Sequence, residues 1–450
     1  MTKSKEGLGL FQITWPIFLE LFLFMLMGLA DTFMLSAVSD DAVAGVGSAN
    51  QFIQIAILIL GVISSGASIV VAQYLGSRRL QEASQISALS VTLNTVVGFI
   101  ISLMFILGST TLMEMMNLEG IVLQHAQTYL HIVGGFIFLQ AIMTSLSAII
   151  RVHGFTQHTM YVSLGMNVVH LVFNYILIFG KFGAPQLGVE GAAISSVISR
   201  GLAAIIFFIL LYRVLEVRIK IDYYYKLSKK YIRQILQIGI PSALEQVLYQ
   251  AAQIVFLYYV TYLGAESLAA RQYATSISMF TYLFAMAIGM GAAILVGRHV
   301  GAGEQDIAYT RVLLSLKIAL LFTVIMVVIV MILRKPLLGL FTNNNEIIAI
   351  GAAVLIFSIF LETGRTFNIT IINSLRAAGD ARFPVKIGFF SMICMSLPLG
   401  YLLVFVFDLG LVGVWIAISA DEWLRAILVL IRWRSRKWER YAIVTKKEAI

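Results

Sequence analysis

Pro16-Ile17-Phe18-Leu19-Glu20 is met again, 225 residues further on, as Pro241-Ser242-Ala243-Leu244-Glu245. The same offset, without a gap, pairs Asp41 with Glu266, Ala44 with Ala269, Gly66 with Gly291, Gly76 with Gly301, Ala83 with Ala308, Arg151 with Arg376 and Gly154 with Gly379. After a length change of three residues in one later loop, Leu187, Gly188 and Gly191 pair with Leu409, Gly410 and Gly413. Aliphatic identities arise by chance between any two apolar segments, whereas recurring Pro, Glu, Arg and Gly do not. The chain is therefore read as two copies of one structural unit.

The solvent for that unit is a bilayer. Hydrophobic residues make up 60% of the chain, charged residues 12%, and the mean hydropathy is +0.91, against roughly 25% charged residues in soluble domains. Apolar runs of roughly 20 residues or more, enough for a helix to cross the hydrocarbon, alternate with short polar stretches. Bounded by charge, Gly, Pro and Asn, they predict helices over roughly 11–37, 50–75, 85–108, 122–149, 159–180, 190–213, 235–263, 270–298, 311–333, 346–374, 384–407 and 411–432. The expected fold is an all-α integral membrane protein of twelve transmembrane helices, in two parallel six-helix repeats around a central cleft. The expected domains are 1–211, a basic cytoplasmic linker 212–234, and 235–450 with a basic tail. Lys3 and Lys5 precede the first apolar stretch as in a signal peptide, but its length and the spans that follow predict a retained first helix.

The 32 Lys and Arg residues are distributed one-sidedly: 24 fall in alternate connections and the termini, and only Lys181, Arg334 and Lys335 in the opposite ones. By the positive-inside rule both termini are cytoplasmic. The net charge of +9 would suit nucleic acid only if it were gathered on one soluble face; here it is spread between spans, so no nucleic-acid partner is expected. Cys394, the one cysteine, excludes an internal disulfide and is expected to be an ordinary buried residue. The six histidines lack metal-site spacing, no catalytic nucleophile arrangement is present, and neither an enzyme nor a bound cofactor is expected.

Ionisable groups inside spans are costly and usually face a cavity or a partner. Glu20 and Asp31 lie three helical turns apart on the first span, on a face shared with Met27 and near Met34. Asp31 is the candidate to carry a proton or a small cation, and Glu20 a candidate for substrate contact or helix bonding. Glu245, Tyr249 and Phe256 repeat an acidic and aromatic face on the seventh span, suited to organic cations. Glu362 and Arg365 can pair along the tenth helix, and with Asp421, Glu422 and Arg425 of the twelfth they suggest either an ion-pair network or a coupling role. Gly289-Met290-Gly291 reads as close helix packing, and the sequon at Asn368 falls inside a span.

The pattern resembles the multidrug and toxic compound extrusion family over the whole chain. The first half carries Trp15-Pro16-Ile-Phe-Leu-Glu20, Ala30-Asp31-Thr32-Phe33-Met34 and Val71-Ala72-Gln73-Tyr74-Leu75-Gly76. The second carries Gly239-Ile-Pro241, Val296-Gly297-Arg298 with Gly301, and Leu375-Arg376-Ala-Ala-Gly379-Asp380. The resemblance implies export of drugs or dyes in exchange for protons or sodium ions across a bacterial plasma membrane, by a chain expected to be a monomer among membrane lipids. It implies that Asp31 couples transport, with His170 and Asn174 at two polar positions of the fifth helix and Ser196 at the sixth-helix hydroxyl. Asn174 and Ser196 fit the family pattern, whereas His170 departs from its usual asparagine. Tyr249 and Arg365 stand where sodium-coupled members carry acids, so the expectation is proton coupling, with Na+ at Asp31 and Asn174 the alternative. Glu20, Met27, Met34, Glu245 and Tyr249 are the expected substrate contacts. A lipid-linked precursor flippase, or a channel or membrane sensor, are the other readings.

Overall fold

The computed structural model describes residues 9–116, 118–214 and 219–444. Twelve long helical segments follow in order: α1 (Leu10–Ser36), α2 (Asp40–Gly76), α3 (Leu80–Glu114), the bent α4 (Gly120–Gly134 and Ile137–Val152), α5 (Thr156–Phe179), α6 (Val189–Val214), α7 (Lys229–Thr261), α8 (Ala265–Ala302), α9 (Gln305–Gly339), α10 (Asn345–Ala377), α11 (Arg382–Val406) and α12 (Gly410–Arg434). Nine of these are single helices long and apolar enough to cross a membrane, and α4 is a tenth. The polar side chains of α7 and α12 lower their hydropathy, yet both occupy repeat positions. The twelve-helix expectation holds, and the chain is a multi-pass membrane protein.

Local chemistry sets the ends. Ser39 caps α2 by accepting from the Ala42 amide at 3.0 Å, and Asp40 and Asp41 follow in the first turn, where carboxylates complement the helix dipole. Asn344 caps α10 through the Glu346 amide at 2.9 Å. The repeat-matched Gly154 and Gly379 adopt φ of +92° and +98°, a conformation side chains resist, and each turns the chain into the next helix. A Cβ at Gly379 would strike the Tyr441 carbonyl.

Two helices depart from the simple spans expected. α4 bends by 47° at Gly135 and Phe136, after a π turn at Leu130–Gly134. The Phe105 ring lies 2.7 Å from where a Gly134 Cβ would stand, so the small residue admits the ring and the ladder opens there. α11 carries π turns at Met392–Ser396 and Leu402–Val406 around Pro398, which lacks the amide a regular ladder needs.

The chain forms two compact units, Met1–Gly239 and Ile240–Ile450. The division falls inside α7 because its first turns pack on α2: Cβ atoms at Gly66 or Gly239 would collide with the carbonyls of Ile235 or Val62. The first unit is centred on Ala42, Ile53, Leu60, Leu130 and Ile137, with a second cluster around Leu146, Phe207 and Leu211. The other unit is centred on Phe256, Leu355 and Val414 at one end and Val312, Leu375 and Trp433 at the other. Cys394 is exposed, not buried. A bilayer accepts apolar side chains on the outside of a helix, so an apolar span does not imply burial within protein.

Candidate functional site

In the first unit α1 lies along α5, and every third or fourth residue of α5 presents a polar group to it. At one level Glu20, 4% exposed, accepts from Arg151 of α4 at 3.1 Å, from Ser163 at 3.2 Å and from Thr159 at 3.4 Å. Three turns along, Asp31 Oδ1 meets His170 Nε2 at 2.8 Å and accepts from Asn174 Nδ2 at 2.7 Å. His170 and Asn174 are buried, while the Asp31 side chain remains 28% exposed.

Both ring nitrogens of His170 have polar neighbours. Nδ1 lies 3.2 Å from Ser199 Oγ, and Ser199 Oγ also donates to the Ser196 carbonyl at 3.1 Å. Nε2 lies 2.8 Å from Asp31 Oδ1 and 3.0 Å from Asn174 Nδ2, so carboxylate, imidazole and amide form one contact group in which the imidazole tautomer sets who donates. Ser195 fixes the helix beneath by donating to the His170 carbonyl at 2.9 Å.

Asp31 opens on a cavity of about 140 Å³ lined by Gly28, Thr32, Asn50, Tyr129 and Ser196 among others. Drug-sized ligands occupy roughly 300–1,000 Å³, whereas a water takes about 30 Å³. The cavity suits a few waters or an ion next to the carboxylate. Tyr129 of α4 is hydrogen-bonded to Ser196, and Arg200 of α6 lies within electrostatic range of both Asp31 and Tyr129. The buried Asn174 Oδ1 has no hydrogen-bond partner.

All four residues expected to act in coupling are thus brought together, with Ser196 at the cavity wall and not on the imidazole. The sequence reading missed Arg200 and Tyr129. An arginine inside a span was the available signal for the first; Tyr129, one tyrosine among many in an apolar helix, had none.

The expected substrate contacts are placed differently. Glu20 is engaged in its ion pair, and Met27 and Met34 pack partly on the two clusters of the first unit. Glu245 pairs with Arg376 at 2.5 Å, the repeat counterpart of Glu20 with Arg151. Tyr249 is half-buried, within electrostatic range of Arg271, Arg365 and Arg425. Phe256 is 1% exposed.

The second unit holds the expected ion pairs. Arg365 donates to both Glu362 oxygens at 2.9 and 3.1 Å and stacks on Tyr282 at 4.8 Å. Arg425 reaches Asp421 at 2.8 Å and Glu422 at 2.9 Å, and Asn368 donates to Glu422 at 2.6 Å. Ser391 donates to Asp421. Asn368 is therefore a buried packing residue, as its place in a span suggested, and Gly289 packs closely on Ile369.

A duplicated set of membrane-spanning helices, with an acid lining an internal cavity and an imidazole in contact with that acid, is the plan of a membrane transporter. The chain belongs to the MatE family, whose model matches residues 16–176 and again 241–402, each match opening on a proline of the repeat. It is 41% identical over 435 residues to an uncharacterized transporter, YisQ, of Bacillus subtilis, covering 97% of this chain and 96% of that one. It is 30% identical to a probable multidrug resistance protein, NorM, of Thermotoga maritima, covering 97% and 94%. A solved structure described as the outward-facing conformation of a multidrug resistance MATE family transporter matches the fold with a TM-score of 0.89 at 20% identity, covering 97% and 98%.

Proposed function

We propose that the chain exports small organic compounds, many of them cationic, in exchange for protons by alternating access in a bacterial plasma membrane, with both termini cytoplasmic. The 2.8 Å contact of Asp31 Oδ1 with His170 Nε2 carries this reading, because an acid against an imidazole is an arrangement that can share and pass on one proton. Asp31 lines a cavity sized for a few waters, and the Arg200 guanidinium lies within electrostatic range of it, which disfavours a bound metal cation. A ligand shifts a conformational equilibrium only through its differential affinity for the two states. Proton and substrate must therefore favour opposite states, with loss of the shared proton accompanying substrate capture and its return driving release.

Asp31→Asn keeps the shape and removes the titration. Dye efflux driven by a pH gradient should fall at least about tenfold at equal protein level, which is about 1.4 kcal/mol of coupling or more; undiminished efflux would contradict the assignment. One observation supports sodium as a second reading: the unpartnered Asn174 Oδ1 is a hard oxygen next to Asp31, the ligand type a small cation takes.

A further inference from the structure

We propose that residues 219–230, which lead into and begin α7, are a docking surface for anionic phospholipid headgroups, which clamps the start of α7 to the membrane surface. The proposal rests on the cytoplasmic orientation given above. The segment is pinned by tyrosines. Tyr223, buried, accepts from Gln81 of α3 at 3.3 Å; Thr92 of α3 donates to the Tyr224 carbonyl at 2.9 Å; and Tyr212 and Tyr224 share a hydroxyl contact of 3.3 Å. Gln81 lies at the very start of α3, whereas Thr92 lies about 18 Å along it at 1.5 Å per residue. The short helical turn Asp222–Tyr225 is therefore held alongside a membrane-spanning helix rather than beyond its tip. α3 has 35 residues and extends past the hydrocarbon, which is about 30 Å thick, so this side-on position corresponds to headgroup depth.

At that depth the alternate side chains point away from the protein. Ile219 and Tyr223 are buried, whereas Ile221, Tyr225 and Leu227 are 72%, 78% and 60% exposed. Lys220, Lys226, Lys229 and Lys230 are exposed among them, with Asp222 the one acid in the described part of the segment. Three large apolar side chains facing bulk water would be unfavourable, but at an interface they enter the acyl boundary while tyrosine hydroxyls and lysines remain at the headgroups. Lysines interleaved with such side chains recognise phosphate esters in an anionic leaflet. The segment opens α7, whose first turns pack on α2, so lipid binding here bears on a helix that enters the second unit.

The test uses the full chain in lipid nanodiscs, with Cys394→Ser and Tyr225→Cys carrying a bimane. Nitroxide lipids labelled near the headgroup should quench the probe several-fold more with anionic lipid than with zwitterionic lipid alone. Lys220→Gln, Lys226→Gln, Lys229→Gln and Lys230→Gln together should remove that difference, and high salt should shrink it. Equal quenching in both lipids, no quenching in either, or a preference untouched by the four substitutions would overturn the proposal. So would a probe protected by soluble polyphosphate but indifferent to lipid. The readout needs no transport, so its failure is distinguishable from failure of proton coupling.

Discussion

Asp31 in the first unit and Phe256 in the second stand 225 residues apart at one position of the repeat, and almost everything around them has diverged in step. Gly28 and Val46 line the cavity beside Asp31. Their counterparts Gln253 and Arg271 carry long side chains instead, joined by Arg271 donating to the Gln253 carbonyl at 3.3 Å and side-chain oxygen at 3.2 Å. Arg200 of α6 corresponds to Glu422 of α12 at the later offset of 222 residues, a reversal of charge. The parts that set helix geometry have not diverged: Glu20 with Arg151 and Glu245 with Arg376 form the same bridge, and Gly154 and Gly379 the same turn. Duplication kept the scaffold and left one unit with a carboxylate on a cavity and an imidazole against it, the other with carboxylates matched to guanidiniums. Ion pairs of the second kind hold charge in place; the proposed coupling assigns its exchange to the acid and imidazole of the first unit.

That contrast can be broken most severely at Phe256. Phe256→Asp copies the charge of Asp31 into a position without its donors or cavity, and should destabilise the protein by about 3–5 kcal/mol, the scale of an unpaired buried charge. A fluorescence-detected thermal melt should show the loss, with no gain in pH-driven efflux. The scaffold bridges come next. Glu20→Ala and Glu245→Ala should each cost about 2–3 kcal/mol by leaving a partly buried arginine unpaired, the first more because Thr159 and Ser163 also lose their acceptor. A melt in which either was neutral would remove that bridge from the scaffold. The mildest change is His170→Asn, which takes away one proton partner and adds an amide oxygen. Efflux under a pH gradient should fall several-fold and a sodium gradient should gain influence; an unaltered response to both would separate His170 from coupling.

The fold was legible because a span writes itself in composition and the repeat in its Pro, Glu and Gly. Asp31 was legible because a carboxylate in an apolar helix needs a partner, whereas His170, Asn174 and Ser196 were placed only through the family resemblance. The bridges were half legible: Glu20, Arg151 and their counterparts recurred, but nothing linear said that they touch. The bend in α4 was hidden because Gly134 and Gly135 look like any small residues until Phe105 is seen to fill the space. Tyr129 was hidden for the same reason, and Arg200 was marked by its place in a span while helix packing, not spacing, brought it to Asp31. Cys394 was misjudged because an apolar neighbourhood in sequence describes lipid as well as protein.

The central claim, that protons drive transport through the first unit alone, is tested most directly in proteoliposomes carrying either a pH gradient or a sodium gradient. The account predicts dye movement with the pH gradient, lost in Asp31→Asn and retained in Glu362→Gln provided that variant folds, and little with sodium. Movement driven by sodium alone, or pH-driven movement surviving Asp31→Asn, would contradict it.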